Sequence, residues 1–203
     1  MLTRLFAIAL LVPVLVVPAS PTAGALRAPT APAIWTLDKA HTSVSFQIRH
    51  FVSKVRGGFG NVTGTITGDP ESWQNVQIEV SIPTATINTG NERRDTDLKS
   101  SNFFAVDSFP EITFRSTRIE RSGDDAKIHG MLTMRGVTRS IVMEGHFNGI
   151  QKTPQGQKLG FDATTTVNRT DYGVKWNRAV EGGGAMLGDE VKIEINVEAN
   201  RSK

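Results

Sequence analysis

The segment NERRDTDLKSSNFFAVDSFPEITFRST, residues 91–117, decides the fold, because the alternation that governs the rest of the chain stops there. Before it and after it, apolar and polar residues take turns as they do in half-buried strands. Inside it the pattern becomes a charged, helix-compatible run from Asn91 to Ser101, then Phe103-Phe104, then a Ser-Phe-Pro turn. Asn91 can accept from the first free amides of a helix. Pro110 pushes its predecessor out of the helical region. Ile112 and Phe114 then restart a strand. The segment reads as a short helix whose phenylalanine pair anchors it over one end of an antiparallel sheet.

Outward from this insert the period is two. Val44, Phe46, Ile48, His50 and Val52 fall on one face, against Ser45, Gln47 and Arg49 on the other. Val76, Ile78, Val80 and Ile82 alternate with Gln77, Glu79 and Ser81. Residues 126–135 and 140–148 flank Gly136-Val137-Thr138 as a hairpin. Leu159 to Val167 and Val191 to Val197 repeat the alternation. Gly57-Gly58, Gly68-Asp69-Pro70, Ser122-Gly123-Asp124 and Pro154-Gln155-Gly156 read as the turns between them. About eight strands with little helix imply an all-β antiparallel sandwich or up-and-down barrel. Well-patterned strands at both ends of the domain favour a barrel, where first and last pair and leave no edge.

Three ordered motifs resemble the YceI-like family of polyisoprenoid-binding, lipocalin-like periplasmic proteins. They are WTLDKAHTSVSF at residues 35–46, RRDTDLKSSNFFAVDSFPEITFRST at 93–117 and GMLTMRGVT at 130–138. Gly57-Gly58-Phe59-Gly60 resembles a family turn, and Arg169, Asp171, Tyr172 and Gly173 its R-x-D-[FY]-G element. The resemblance spans residues 34–198. Asp97 departs from it, standing where the family pattern suggests histidine. The resemblance implies an eight-stranded lipocalin-like barrel with a helical insert. It also implies an isoprenoid lipid, such as a polyprenyl phosphate or a quinone tail, threaded inside, and makes a homodimer plausible.

Residues 1–25 read as a signal peptide: Arg4 is the positive start, Leu5 to Val17 the apolar run, and Ala23-Gly24-Ala25 a small-residue cleavage site. Cuts after Ala19 or Ser20 fit as well. The apolar run falls short of the ~20 residues a spanning helix needs. Residues 26–33 form a proline-bearing lead-in, and 34–203 the barrel domain. A periplasmic or secreted location follows. The 203 residues contain no cysteine, which excludes disulfides, thiolate metal sites and a lipidated N-terminal cysteine. With 23 basic and 20 acidic residues, the net charge is +3. Removing residues 1–25 takes away Arg4 and no acid. Neither a basic stripe nor a nucleic-acid module is present, so nucleic acid is not an expected partner.

Catalysis finds no foothold. His41, His50, His129 and His146 lie in four separate segments, and no G-x-S-x-G elbow occurs. No catalytic residue, metal ligand or cofactor is expected. An eight-stranded barrel holds either its own side chains or one ligand, and patterning alone leaves both open. With the lipid that the resemblance implies, Phe46, Ile48, Ile78, Val80, Phe114, Leu132 and Phe161 are the expected chain-lining residues. His50, Arg169, Asp171 and Tyr172 are the candidates for a polar rim; for Arg169 and Asp171 an ion pair within the loop is the plainer reading. At ~0.3 kcal/mol per heavy atom, about 40 buried carbons would give about 12 kcal/mol. A transient contact with a membrane surface would go with that cargo.

Overall fold

The structure, a computed structural model, describes residues 32–179 and 185–202. The signal-like segment, most of the lead-in and Gly182-Gly183-Gly184 lie outside the described residues. Ten strands form one antiparallel sheet: β1 (Ile34–Leu37), β2 (Ser43–His50), β3 (Ser53–Phe59), β4 (Thr63–Asp69), β5 (Gln74–Pro83), β6 (Glu111–Ser122), β7 (Asp125–Met134), β8 (Val137–Thr153), β9 (Gly156–Asn168) and β10 (Leu187–Ser202). Helix α1 (Glu92–Lys99) sits between β5 and β6.

The ten strands make eight staves. β1 and β2 lie end to end along one edge of β10, pairing at Thr36↔Asn200 and Val44↔Ile195. β4 and β3 lie end to end against β1 and β2, pairing at Trp35↔Ile66 and Ile48↔Val55. From β4 the sheet runs in chain order to β10, and β10 pairs back to β1, so the eight-stave antiparallel barrel closes. The expected fold class is what the structure has. The stave count was legible, whereas the breaks at 38–42 and 60–62 were not.

The break in the first stave is pinned by charge. Asp38 accepts from the Ala40 amide and the Asn200 side chain, and His41 and Lys158 approach it at 3.2 and 3.5 Å. These donors, Asn200 first and His41 next, hold the Asp38 carboxyl far below the usual carboxylate range. Lys158 also bonds Glu198, which sets its ammonium above its ordinary value.

Three turn assignments change. Gly57 and Gly58 lie inside β3 rather than in a turn. A Cβ on Gly57 would stand 2.6 Å from the Phe46 ring and 2.7 Å from Thr89, so this glycine serves close packing. The β2 face stops at His50: Phe51 and Val52 are the hairpin turn, and Val52 is fully exposed. The β7–β8 hairpin is tighter than expected, with Arg135-Gly136 as its turn and Val137 already in β8.

The core lies inside the barrel. Trp35, Leu37, Ile66, Ile128, Leu159 and Phe161 are buried toward the end where β4 meets β5 and β8 meets β9. Trp73 lies across that end, its ring meeting Phe147 at 5.8 Å and Phe161 at 5.9 Å. The opposite end carries the β2–β3 hairpin, the insert between β5 and β6, and the segment between β9 and β10.

Candidate functional site: an apolar cavity under the insert

The insert folds as its sequence requires. The Asn91 side chain accepts from the Arg94 amide and caps α1. Asp95 accepts from the Thr89 amide and hydroxyl, and Arg94 donates through Nε to the Thr89 hydroxyl and through a terminal nitrogen to its carbonyl. These polar contacts fasten the helix to the chain that leads into it. Below, the phenylalanine pair does what its position predicts. Phe103 is buried with its ring 5.2 Å from Trp176, and Phe104 meets Phe59 edge-on at 5.7 Å.

Beneath the insert the barrel encloses a cavity of about 830 Å³. All seven residues expected to line a chain are on its wall: Phe46, Ile48, Ile78, Val80, Phe114, Leu132 and Phe161. β10 adds Val191, Ile193, Ile195 and Val197, whose alternation was plain in the sequence although they were not singled out. Polar wall residues gather at the insert end: His50, Arg93, Arg94, Asp97 and Arg169. The cavity is therefore hydrocarbon-like within the staves and mixed beneath the helix, where these polar groups stand beside Leu98, Phe103, Phe104 and Trp176. Sequence reasoning missed Arg93 and Arg94 as wall residues, although Leu98, the one apolar residue of α1, is itself on the wall one turn from Arg94 and marks the side that faces the lumen. Asp97, where the family pattern suggests histidine, reaches the same wall.

The rim set splits. His50 and Arg169 line the cavity; Asp171 and Tyr172 do not. Tyr172 is buried behind the wall, where desolvation first and the Asp171 charge second raise its phenol above the ordinary value. Arg169 does not pair with Asp171. Arg169 is 4% exposed, and its guanidinium meets Asp189 at 3.1 Å and donates to the carbonyls of Gly188, Val174 and Trp176. Desolvation lowers its pKa against the opposing pull of Asp189. The residue that neutralises it lies twenty positions away, beyond the reach of local sequence reading. Arg169 is the tie that binds the segment after β9 to the start of β10.

Among the described residues, one cluster has the donor types of a metal site: Asp38, His41 and Glu198. It lies off the cavity wall, and Lys158 bonds both carboxylates, so the chain's own ammonium fills the position a cation would take.

A closed eight-stave antiparallel barrel, with a helical insert over an apolar lumen, places this protein in the lipocalin-like class of barrels. Residues 35–199 match the family described as the YceI-like domain, and the chain belongs to that family. A UPF0312 protein of Staphylococcus aureus is 40% identical over 172 residues, covering 83% of this chain and 98% of the relative. A Campylobacter jejuni YCEI protein aligns at a TM-score of 0.66 with 28% identity, over 75% of this chain and 87% of that one. Two more distant structures share the fold. Burkholderia cenocepacia BcnA has a TM-score of 0.69 at 18% identity, over 81% and 99% of the two chains. A polyisoprenoid binding domain from Saccharophagus degradans has 0.64 at 12%, over 82% and 98%.

Proposed function

We propose that this protein is a binding protein for one long isoprenoid lipid, which it stores, shields or carries outside the cytoplasm, and that it is not an enzyme. The observation that carries this is the cavity. Close-packed protein interiors leave few voids larger than a water molecule, whereas 830 Å³ is near the upper end of ligand sites. A self-filled barrel has no reason to keep that space. The apolar staves suit the hydrocarbon chain, and the polar end under α1, with Arg93 and His50 on its wall, suits a phosphate or quinone head. The description of the Saccharophagus degradans domain as polyisoprenoid binding supports the same cargo. The signal-like residues 1–25 support export, and the mature N-terminus is expected between Ser20 and Leu26. The chemistry needs no cofactor and no catalytic group, since binding a chain only requires removing it from water.

The test is extraction of the purified, exported protein with organic solvent, followed by mass spectrometry of the extract. A prenylated lipid near one per protein is the expected result. No lipid in the extract, together with no uptake by the stripped protein, would overturn the reading.

A further inference from the structure

The β2–β3 hairpin breaks the rules that its own fold sets. Register places His50 opposite Ser53, so the loop has two residues, Phe51 and Val52. Such loops favour asparagine, aspartate or glycine, because their backbone enters the left-handed region. Phe51 has φ 50°, a costly conformation for a bulky residue. Phe51 is 41% exposed and Val52 fully so. Apart from an edge-to-face contact of the Phe51 ring with His50 at 4.8 Å, the local turn gains nothing from this choice: a Phe-Val tip is strained, and it presents two large apolar side chains to water. Where a sequence breaks a local rule without a structural gain, function is the physical reason to look for.

Charge says what the tip meets. From residue 39 to residue 68 the chain carries Lys39, Arg49, Lys54 and Arg56 and no Asp or Glu. Arg56 faces Glu194 across β2. Arg49 and Lys54, opposite each other beside the tip, have no carboxylate partner among the described residues. The tip is also held in place. The Phe51 amide donates to the Met186 carbonyl at 2.8 Å, and Arg49 donates to the Phe51 carbonyl at 3.1 Å. An apolar point flanked by unmatched cations is the pattern that enters an anionic bilayer interface. His50, adjacent to the tip, and Met186, bonded to it, both line the cavity.

We propose that the Phe51-Val52 tip is a membrane-docking point: the two side chains insert among the headgroups, Arg49 and Lys54 rest on anionic phospholipid, and the cavity's polar end is thereby held at the bilayer surface. Its purpose as a transfer device rests on the lipid-carrier reading; the docking itself does not.

The test uses the mature protein stripped of lipid and two kinds of vesicle, pure phosphatidylcholine and phosphatidylcholine with about one-third phosphatidylglycerol. Wild type is expected to co-sediment with the anionic vesicles and to be released at high salt. Phe51→Asn with Val52→Gly installs a favoured hairpin turn, so this variant folds, and its vesicle binding is expected to fall at least about tenfold. Arg49→Gln with Lys54→Gln is expected to lose several-fold for each charge on anionic vesicles only. Sedimentation of the Asn-Gly variant at wild-type levels would overturn the proposal, as would a wild type that binds neither vesicle. Self-association that disappears in the Asn-Gly variant, with vesicle binding intact, would assign the tip to a second copy instead. Uptake of a prenyl lipid from detergent is measured on the same proteins. Docking without uptake would sink the carrier reading and leave the docking point standing, whereas uptake without docking would do the reverse.

Discussion

The two ends of the barrel are built from different materials. The end that carries the β4–β5 and β8–β9 turns is sealed by hydrocarbon: Trp35 is 1% exposed, and Trp73 stacks edgewise on Phe147. The insert end is covered by a helix with no buried residue, tied to its lead-in chain by polar bonds among Thr89, Asn91, Arg94 and Asp95 and anchored below by the Phe103 and Phe104 rings against Trp176 and Phe59. Apolar burial is lost only when the structure comes apart, so the first end should behave as part of the global fold. The part-buried hydrogen bonds of Thr89 are each worth about 1 kcal/mol net, and a segment held by a few such bonds and two rings can open locally. The contrast teaches that the cavity has a floor and a cover. Under the carrier reading, the way in lies beside α1, where the barrier is one helix, a few polar contacts and the Phe103 and Phe104 rings.

The largest expected effect is on the floor. Trp35→Ala removes a fully buried ring and should cost about 3–5 kcal/mol, seen as a lower midpoint of cooperative unfolding. A midpoint equal to wild type would mean that the floor is not part of the core. A smaller effect is expected at the cover. Asp95→Ala deprives Thr89 of its acceptor and should cost about 1–3 kcal/mol. Hydrogen exchange would report it as faster exchange over residues 89–99, with β7–β9 unaffected. Protection lost evenly across the barrel would erase the distinction between the two ends.

The smallest effect is on the outer wall. His146 lies 2.7 Å from Asp125, and that hydrogen bond raises its pKa above the ordinary 6.5. A raised folded-state value means that the contribution is fully present below pH 6.5 and is lost as pH climbs through the folded value. Urea midpoints measured across that range should fall slightly with rising pH in wild type, less so in His146→Gln. Identical slopes would show that the pair is too exposed to matter.

Much of this was legible in the sequence, for reasons that also explain what was not. Period-two alternation exposed the staves because one face of each meets the lumen, and the seven residues from Phe46 to Phe161 expected to line a chain stand on that wall. Asn91 and Pro110 bracketed the insert because capping and proline sterics are local. The losses were non-local. Gly57 looked like a turn because the ring it makes room for, Phe46, is contacted across the sheet. Arg169 looked paired with Asp171 because Asp189 becomes its neighbour only when β9 and β10 align. Val52 continued an apolar alternation through a hairpin that no glycine or asparagine announced.

The central claim is that the barrel is hollow in order to hold a chain, and Ile78→Trp tests it directly. Ile78 is half-buried on the cavity wall, so the added ring enters the lumen. The measurement is thermal melting of delipidated wild type and variant, with and without a prenyl lipid. Both apo proteins are expected to melt alike. Lipid at about 100 times its Kd is expected to stabilise wild type by about 2.7 kcal/mol, and the variant to show little of this shift. A variant destabilised by about 1–3 kcal/mol, as in an overpacked core, beside a wild type that lipid leaves unmoved, would contradict it.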